Sequence, residues 1–178
     1  MKIKRTILNN KLDIRTEKDF PKKGVEFIDI NPLIINKDTF EEIIDRFVEY
    51  LNDTKIDYIV SPESRGFVCG GALAKELNVG FVPVRKKGKL PPSTIIKTFE
   101  YEKEYGHDEL QLPKLPDGDY RLKKFFILDD IYATGSTVKS IVKAIAELGG
   151  NIVGVGAVLN IIELNNDDVF SLIEVNES

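Results

Sequence analysis

The sequence predicts an α/β fold: a mostly parallel, twisted sheet flanked by helices. Three observations lead there. Apolar runs of strand length alternate with stretches of helical periodicity between Asp57 and Ile162. One run, Phe125-Phe126-Ile127-Leu128, ends abruptly in Asp129-Asp130 and a hydroxyl-rich turn. The chain has 178 residues, which suits one domain built on a single core. Strands that alternate with helices favour parallel pairing, and their ligands sit at the carboxyl ends of the strands.

Each element follows from a local pattern. Phe40, Ile43, Ile44, Phe47, Val48 and Leu51 fall on one face of a helix over 39–51. Thr39 and Glu42 have the spacing of a capping box at its start. Asp57 to Val60 reads as a short buried strand, Ser61 to Gly66 as a loop, and Phe67 to Leu77 as a helix. Gly80 to Val84 is the next strand, with Pro83 tolerable only where no ladder bond is needed. Residues 86–105 are polar and turn-rich around Pro91-Pro92, which predicts a long loop or loose hairpin of functional kind. Phe125 to Leu128 is a strand. Val138, Ile141, Val142, Ile145 and Leu148 then line a helix that Gly149-Gly150 stops. Asn151 to Ile162 reads as the last strand.

Composition narrows the function. Hydrophobic residues are 42% and charged residues 30%, as in a soluble globular chain. A formal net charge of −4 speaks against a nucleic-acid or anionic-membrane partner. Met1 to Asn10 lacks the apolar core of a signal peptide, and no apolar run reaches bilayer length. Cys69 is the single cysteine, so no disulfide framework forms and a reducing cytoplasmic setting is expected. It falls on the apolar face of a helix and reads as a core thiol, while His107 in a polar stretch reads as a surface residue.

The chemistry concentrates at 129–137. Asp129 and Asp130 at a strand end can accept hydrogen bonds from vicinal hydroxyls. Ala133, Thr134, Gly135, Ser136 and Thr137 lie just before a helix, where backbone N–H groups, three hydroxyls and the helix dipole favour a phosphate. Gly135 permits a backbone shape closed to other residues. Alone, Thr-Gly-Ser-Thr reads as an ordinary N-capping turn; the paired aspartates point instead to a sugar phosphate. Neither a Walker A lysine nor a dinucleotide glycine fingerprint is present in this turn. Arg85, Lys86, Lys87 and Lys89 form a cationic run beside another strand end, suited to neutralising an anionic leaving group.

Asp129 to Thr137 resembles the phosphoribosyl pyrophosphate signature of the type I phosphoribosyltransferases. Three further segments resemble, in order and spacing, the adenine-specific branch of that family. They are Phe20 to Ile30, Ser64-Arg65-Gly66-Phe67, and Val82 to Pro91 followed by Glu102 to Gly106. The likeness runs from about Phe20 to Glu163. It implies a single type I phosphoribosyltransferase domain over 1–178, with a small N-terminal hood over about 1–35 and a flexible catalytic loop over about 86–105.

The resemblance also implies roles. Asp129 and Asp130 would face the ribose hydroxyls, and Ala133 to Thr137 would hold the 5′-phosphate. Glu63, Ser64, Arg65, Arg85, Lys86 and Lys89 would take the pyrophosphate, with a cis peptide bond near Glu63-Ser64. Phe27 would stack on adenine, the backbone near Val25 would read the base edge, Arg65 would lie against the purine, and Ile161 would cover its other face. Glu104 would close over the site and handle the purine proton, with Arg85 as its catalytic companion. Mg²⁺ would be held mainly by substrate and water. Phosphoribosyl pyrophosphate and adenine are the expected partners, together with a second copy of the chain, because part of the cationic loop reaches the neighbouring site. Two positions depart from the family: Ile28 where arginine is common, and Ser136 where glycine is usual. The alternatives are the same transfer to xanthine, hypoxanthine or guanine, or a phosphoribosyl pyrophosphate sensor, which would be expected to carry an added DNA-binding region.

Overall fold

The computed structural model describes residues 1–20, 22–103 and 106–176, with the side chain of residue 103 left aside. In chain order the strands are β1 (Lys2–Thr6), β2 (Arg15–Lys18), β3 (Glu26–Asp29), β4 (Tyr58–Pro62), β5 (Gly80–Lys86), β6 (Ile95–Lys103), β7 (Gly106–Pro113), β8 (Lys124–Tyr132), β9 (Asn151–Ile161) and β10 (Phe170–Asn176). The helices are α1 (Asn31–Ile35), α2 (Lys37–Leu51), α3 (Gly66–Glu76) and α4 (Ser136–Glu147), with one 3₁₀ turn at Pro92–Thr94. Eight strands form the main sheet in the order β1-β10-β9-β8-β4-β5-β7-β6, and β2 pairs with β3 separately. The five central strands, β10 through β5, run parallel, while β1, β7 and β6 join antiparallel. This is the predicted sheet.

Both sheet faces are covered, which is why β8 reads as a continuous apolar run rather than an alternating one. Side chains still alternate along it. Phe126 and Leu128 join the cluster under α2 and α3 with Ile43, Phe47 and Leu73. Phe125 and Ile127 join the cluster under α4 with Val138, Ile141 and Ile145. Cys69 is fully buried in the first cluster, and burial pushes its thiol up to about 12, so it behaves as a packing group.

Several expectations need correction. Helix α2 begins at Lys37, and its cap is Asn36, whose Oδ1 accepts from the backbone N–H groups of Asp38 and Thr39 at 3.1 and 3.0 Å. The expected Thr39–Glu42 capping box does not form. The Glu42 carboxylate instead accepts from the backbone of Asn9 and Asn10 at 2.6 and 2.9 Å, tying down the N-terminal segment. Of the two readings of the stretch after Arg85, the hairpin holds and the long loop does not: Lys97 lies opposite Leu112 and Glu102 opposite His107. Asn151–Ile161 is not the last strand, because β10 follows and pairs with it in parallel. β1 then closes that edge by pairing antiparallel with β10. Pro83 is accommodated because β5 pairs with β7 only from Arg85 onward.

Candidate active site

Three neighbouring strands end on the same side. β4 leads through Glu63 to Arg65 into α3, β5 ends in Arg85-Lys86, and β8 carries Asp129 and Asp130. β8 is paired with β4 only as far as Ile127, but with β9 as far as Tyr132. The two aspartates therefore lie within the strand, yet beyond the reach of the β4 ladder. That places paired carboxylates at an open edge inside a packed sheet.

Both aspartates are largely buried, at 9% and 5% exposure. The backbone N–H of Asp130 donates to Asp129 Oδ1 at 2.9 Å. Burial, reinforced by the neighbouring Asp130 charge, raises the Asp129 carboxyl well above its ordinary value. Asp130 Oδ2 is paired with Arg65 Nε at 2.8 Å. The Arg65 guanidinium in turn lies 5.2 Å from the centre of the Phe27 ring. Phe20 packs its edge on Phe27 at 5.2 Å. One continuous contact thus joins the Asp130 carboxylate to the Phe27 ring.

Strand alternation explains Ile28. Phe27 faces Arg65, while Ile28 points into the core at 6% exposure, where a charge would be costly. The cation on this wall is Arg65. Val25 engages both backbone groups in a turn: its N–H donates to Lys22 O at 3.2 Å and its carbonyl accepts from Phe20 at 3.3 Å. Ile161 is buried at the end of β9 in the same cluster as Ile28.

On the cationic side, Arg85 Nε donates to Glu63 Oε2 at 3.0 Å, and the Lys86 backbone donates to the same oxygen at 2.9 Å. Burial tends to raise the Glu63 carboxyl, but these two donors outweigh it and hold it below its ordinary value. The Glu63 N–H is spent on Val84 O at 2.9 Å. Glu63 thus anchors the arginine. The Glu63-Ser64 peptide bond is cis, as the resemblance implied. Lys87 is ion-paired with Glu109; Lys86 and Lys89 are exposed at the turn that follows. Glu104 lies outside the described residues.

Ala133 to Thr137 carries the chain from β8 into α4 and, with Asp129 and Ile131, lines a cavity of about 90 Å³. Gly135 has φ +76°, and a Cβ there would lie 2.1 Å from the Tyr132 hydroxyl. Only glycine fits on both counts. Ser136 and Thr137 open the first turn of α4. The Ser136 hydroxyl donates to Glu102 O at 2.5 Å, fastening β6 to this segment. A larger cavity of about 800 Å³ lies between β6 and α4, but none of Val25, Phe27 and Arg65 lines it. His107 is exposed at that hairpin, as expected of a surface residue.

Sequence reasoning missed the support behind this segment. Tyr132 OH donates to Asp167 Oδ2 at 2.9 Å, and Lys139 Nζ lies 2.7 Å from the same oxygen. Asn165 Nδ2 donates to Ala133 O at 2.7 Å. The Asn165-Asn166-Asp167-Asp168 run was a legible turn signal, but its partner was not.

Residues 34–175 match the family described as phosphoribosyl transferase domain. An adenine phosphoribosyltransferase of Clostridium botulinum strain Hall is 44% identical over 169 residues, covering 95% of this chain and 96% of that protein. The crystal structure of adenine phosphoribosyltransferase from Thermoanaerobacter pseudethanolicus superposes with a TM-score of 0.82 at 39% identity, covering 91% and 95% of the two chains. The Saccharomyces cerevisiae adenine phosphoribosyltransferase, complexed with an imino-altritol bisphosphate and adenine, gives 0.77 at 37% identity over 89% and 93%.

Proposed function

The chain belongs to the phosphoribosyl transferase family, and from that premise we propose that it transfers the phosphoribosyl group of phosphoribosyl pyrophosphate to adenine, giving AMP and pyrophosphate. The observation that carries this reading is the contact chain Asp130–Arg65–Phe27, which sets a ribose-facing carboxylate beside an aromatic, cation-capped wall. Breaking the bond at the anomeric carbon builds positive charge on the ribose and negative charge on the departing pyrophosphate. Asp129 and Asp130 orient the ribose hydroxyls, and Ala133 to Thr137 anchor the 5′-phosphate. Ser64, Arg65, Arg85, Lys86 and Lys89 neutralise the leaving group, with Glu63 fixing Arg85. Phe27, Arg65, Val25 and Ile161 hold the purine, and Glu104 handles its proton as the 86–105 segment closes against water.

The family implies a divalent metal, and we propose Mg²⁺. One carboxylate suits a cation: Asp129 is buried beside the Asp130 charge, while Asp130 is already paired with Arg65, so Asp129 would be the group to gain from a metal. Among the described residues no three His, Cys, Asp or Glu side chains converge to cage an ion, so substrate oxygens and water would supply most ligands. When bound, the metal would neutralise charge on the pyrophosphate. We also propose a homodimer, in which part of the cationic loop around Lys86 to Lys89 would reach the neighbouring site. A cytoplasmic setting is supported by the buried, unbridged Cys69; among the described residues no helix is long and apolar enough to cross a membrane.

Incubation with Mg²⁺, phosphoribosyl pyrophosphate and each purine separately tests the reading. AMP from adenine is the expected product. Tight phosphoribosyl pyrophosphate binding with no nucleotide from any base would point to a sensor instead.

A further inference from the structure

We infer that Asn165 and Asp167, in the loop between β9 and β10, are positioning residues for the 5′-phosphate site. They fix the peptide planes of the phosphate-binding segment from behind. This rests on the phosphoribosyl reading, because it assigns a role to residues that touch the segment and not the substrate.

Three consecutive residues of the segment are held from one side. The Tyr132 hydroxyl is bound to Asp167 Oδ2 at 2.9 Å. The Ala133 carbonyl accepts from Asn165 Nδ2 at 2.7 Å. The Thr134 carbonyl accepts from Lys139 Nζ at 3.2 Å, and that ammonium is in turn held 2.7 Å from Asp167. Asn165 and Asp167 also brace one another, since the Asp167 N–H donates to Asn165 Oδ1 at 3.3 Å. Asn165 Nδ2 lies within reach of Asn160 Oδ1 and Ile161 O as well, at 3.0 and 3.1 Å, which locks the loop to the end of β9.

Planarity turns this bracing into a binding geometry. In a trans peptide the carbonyl of one residue and the N–H of the next point in opposite directions. Drawing the Ala133 carbonyl toward Asn165 therefore aims the Thr134 N–H away from the supporting loop. Drawing the Thr134 carbonyl toward Lys139 does the same for the Gly135 N–H. Those are donors that a phosphate at the start of α4 needs. Lys139 is thereby occupied as a structural cation rather than a free phosphate ligand, and Asp167 balances its charge.

The test uses the full chain with ribose 5-phosphate as the calorimetric probe, beside steady-state kinetics and thermal midpoints. Asn165→Ala and Asp167→Ala should each weaken ribose 5-phosphate binding roughly tenfold, the effect of one lost charge-assisted or buried hydrogen bond. The KM for phosphoribosyl pyrophosphate should rise in parallel, with the adenine KM unchanged in Asp167→Ala, which touches no residue of the purine wall. Asp167→Asn keeps an acceptor for Tyr132 and should recover part of the loss. Unchanged ribose 5-phosphate affinity in folded Ala variants would overturn the proposal. Should Asp167→Ala fail to fold, Asn165→Ala, which removes no charge, decides the matter by itself. Failure of the unaltered protein to bind ribose 5-phosphate would sink the phosphoribosyl reading first, and the positioning role with it.

Discussion

Burial and the Asp130 charge keep the proton on Asp129 to higher pH than an exposed aspartate would. The folded state therefore binds that proton more tightly than the unfolded chain, whose carboxyl titrates near about 3.9. Stability falls as pH rises from that value through the raised one. Asp129→Asn keeps the oxygen that accepts from Asp130 N–H but removes the charge. The substrate-free variant should melt at a higher temperature than the parent at pH 7.5, and the gap should close near pH 4. A lower midpoint for the variant at pH 7.5 would contradict this account of the carboxylate pair. Gly135 is constrained more simply. Gly135→Ala should lose about 1–3 kcal/mol from its left-handed backbone alone, measurable by urea unfolding. Removing the Tyr132 hydroxyl should not rescue it, because the ring carbon Cζ would still lie 2.4 Å from the new Cβ. Both residues were legible in the sequence, because their chemistry is contiguous. The Arg65–Phe27 contact was legible only through resemblance, since no local pattern brings a hood strand to a helix start.

At the scale of elements, apolar periodicity found α2 and α4, and a helix was expected at α3, while the start of α2 was misread. Thr39 and Glu42 have capping-box spacing, yet Asn36 caps and Glu42 serves a distant backbone. Local spacing cannot reveal that a carboxylate has a tertiary partner. Asn36→Ala should destabilise the protein by about 1 kcal/mol, read as a lower denaturant midpoint with an unchanged slope. An equal midpoint would return the cap to Thr39. β6 and β7 escaped the sequence reading as regular strands because Lys97, Glu100, Glu102, His107 and Glu109 make them polar. Their order comes from pairing with each other and from the hydroxyl of Ser136 on Glu102 O. The Ser136 hydroxyl is thus a tether between the start of α4 and β6. Ser136→Gly should speed amide exchange in the described end of β6 roughly fivefold, the worth of one hydrogen bond of about 1 kcal/mol. Exchange unchanged there would show that the hydroxyl holds nothing.

For the whole molecule, parallel order places β4, β5 and β8 side by side, so three loops distant in sequence meet at the carboxyl end of the sheet. The sequence carried the central sheet, because its strands are apolar and alternate with helices. It did not carry the flanks. β1 is exposed throughout and bears no autonomous signal; it is a strand because β10 offers it a partner. β10 went unread beyond its polar turn, although Leu172, Ile173 and Val175 are apolar and buried. The same reasoning explains why the support from Asn165 and Asp167 was invisible: it depends on the crossover that returns the chain beside β9. The central claim concerns what the assembled end does. A single reaction containing Mg²⁺, phosphoribosyl pyrophosphate and equal amounts of adenine, hypoxanthine and guanine measures the ratio of specificities directly when the nucleotides are separated by chromatography. AMP should dominate the products, with pyrophosphate released in equal amount. Dominance of another nucleotide, or pyrophosphate release without nucleotide, would contradict the account.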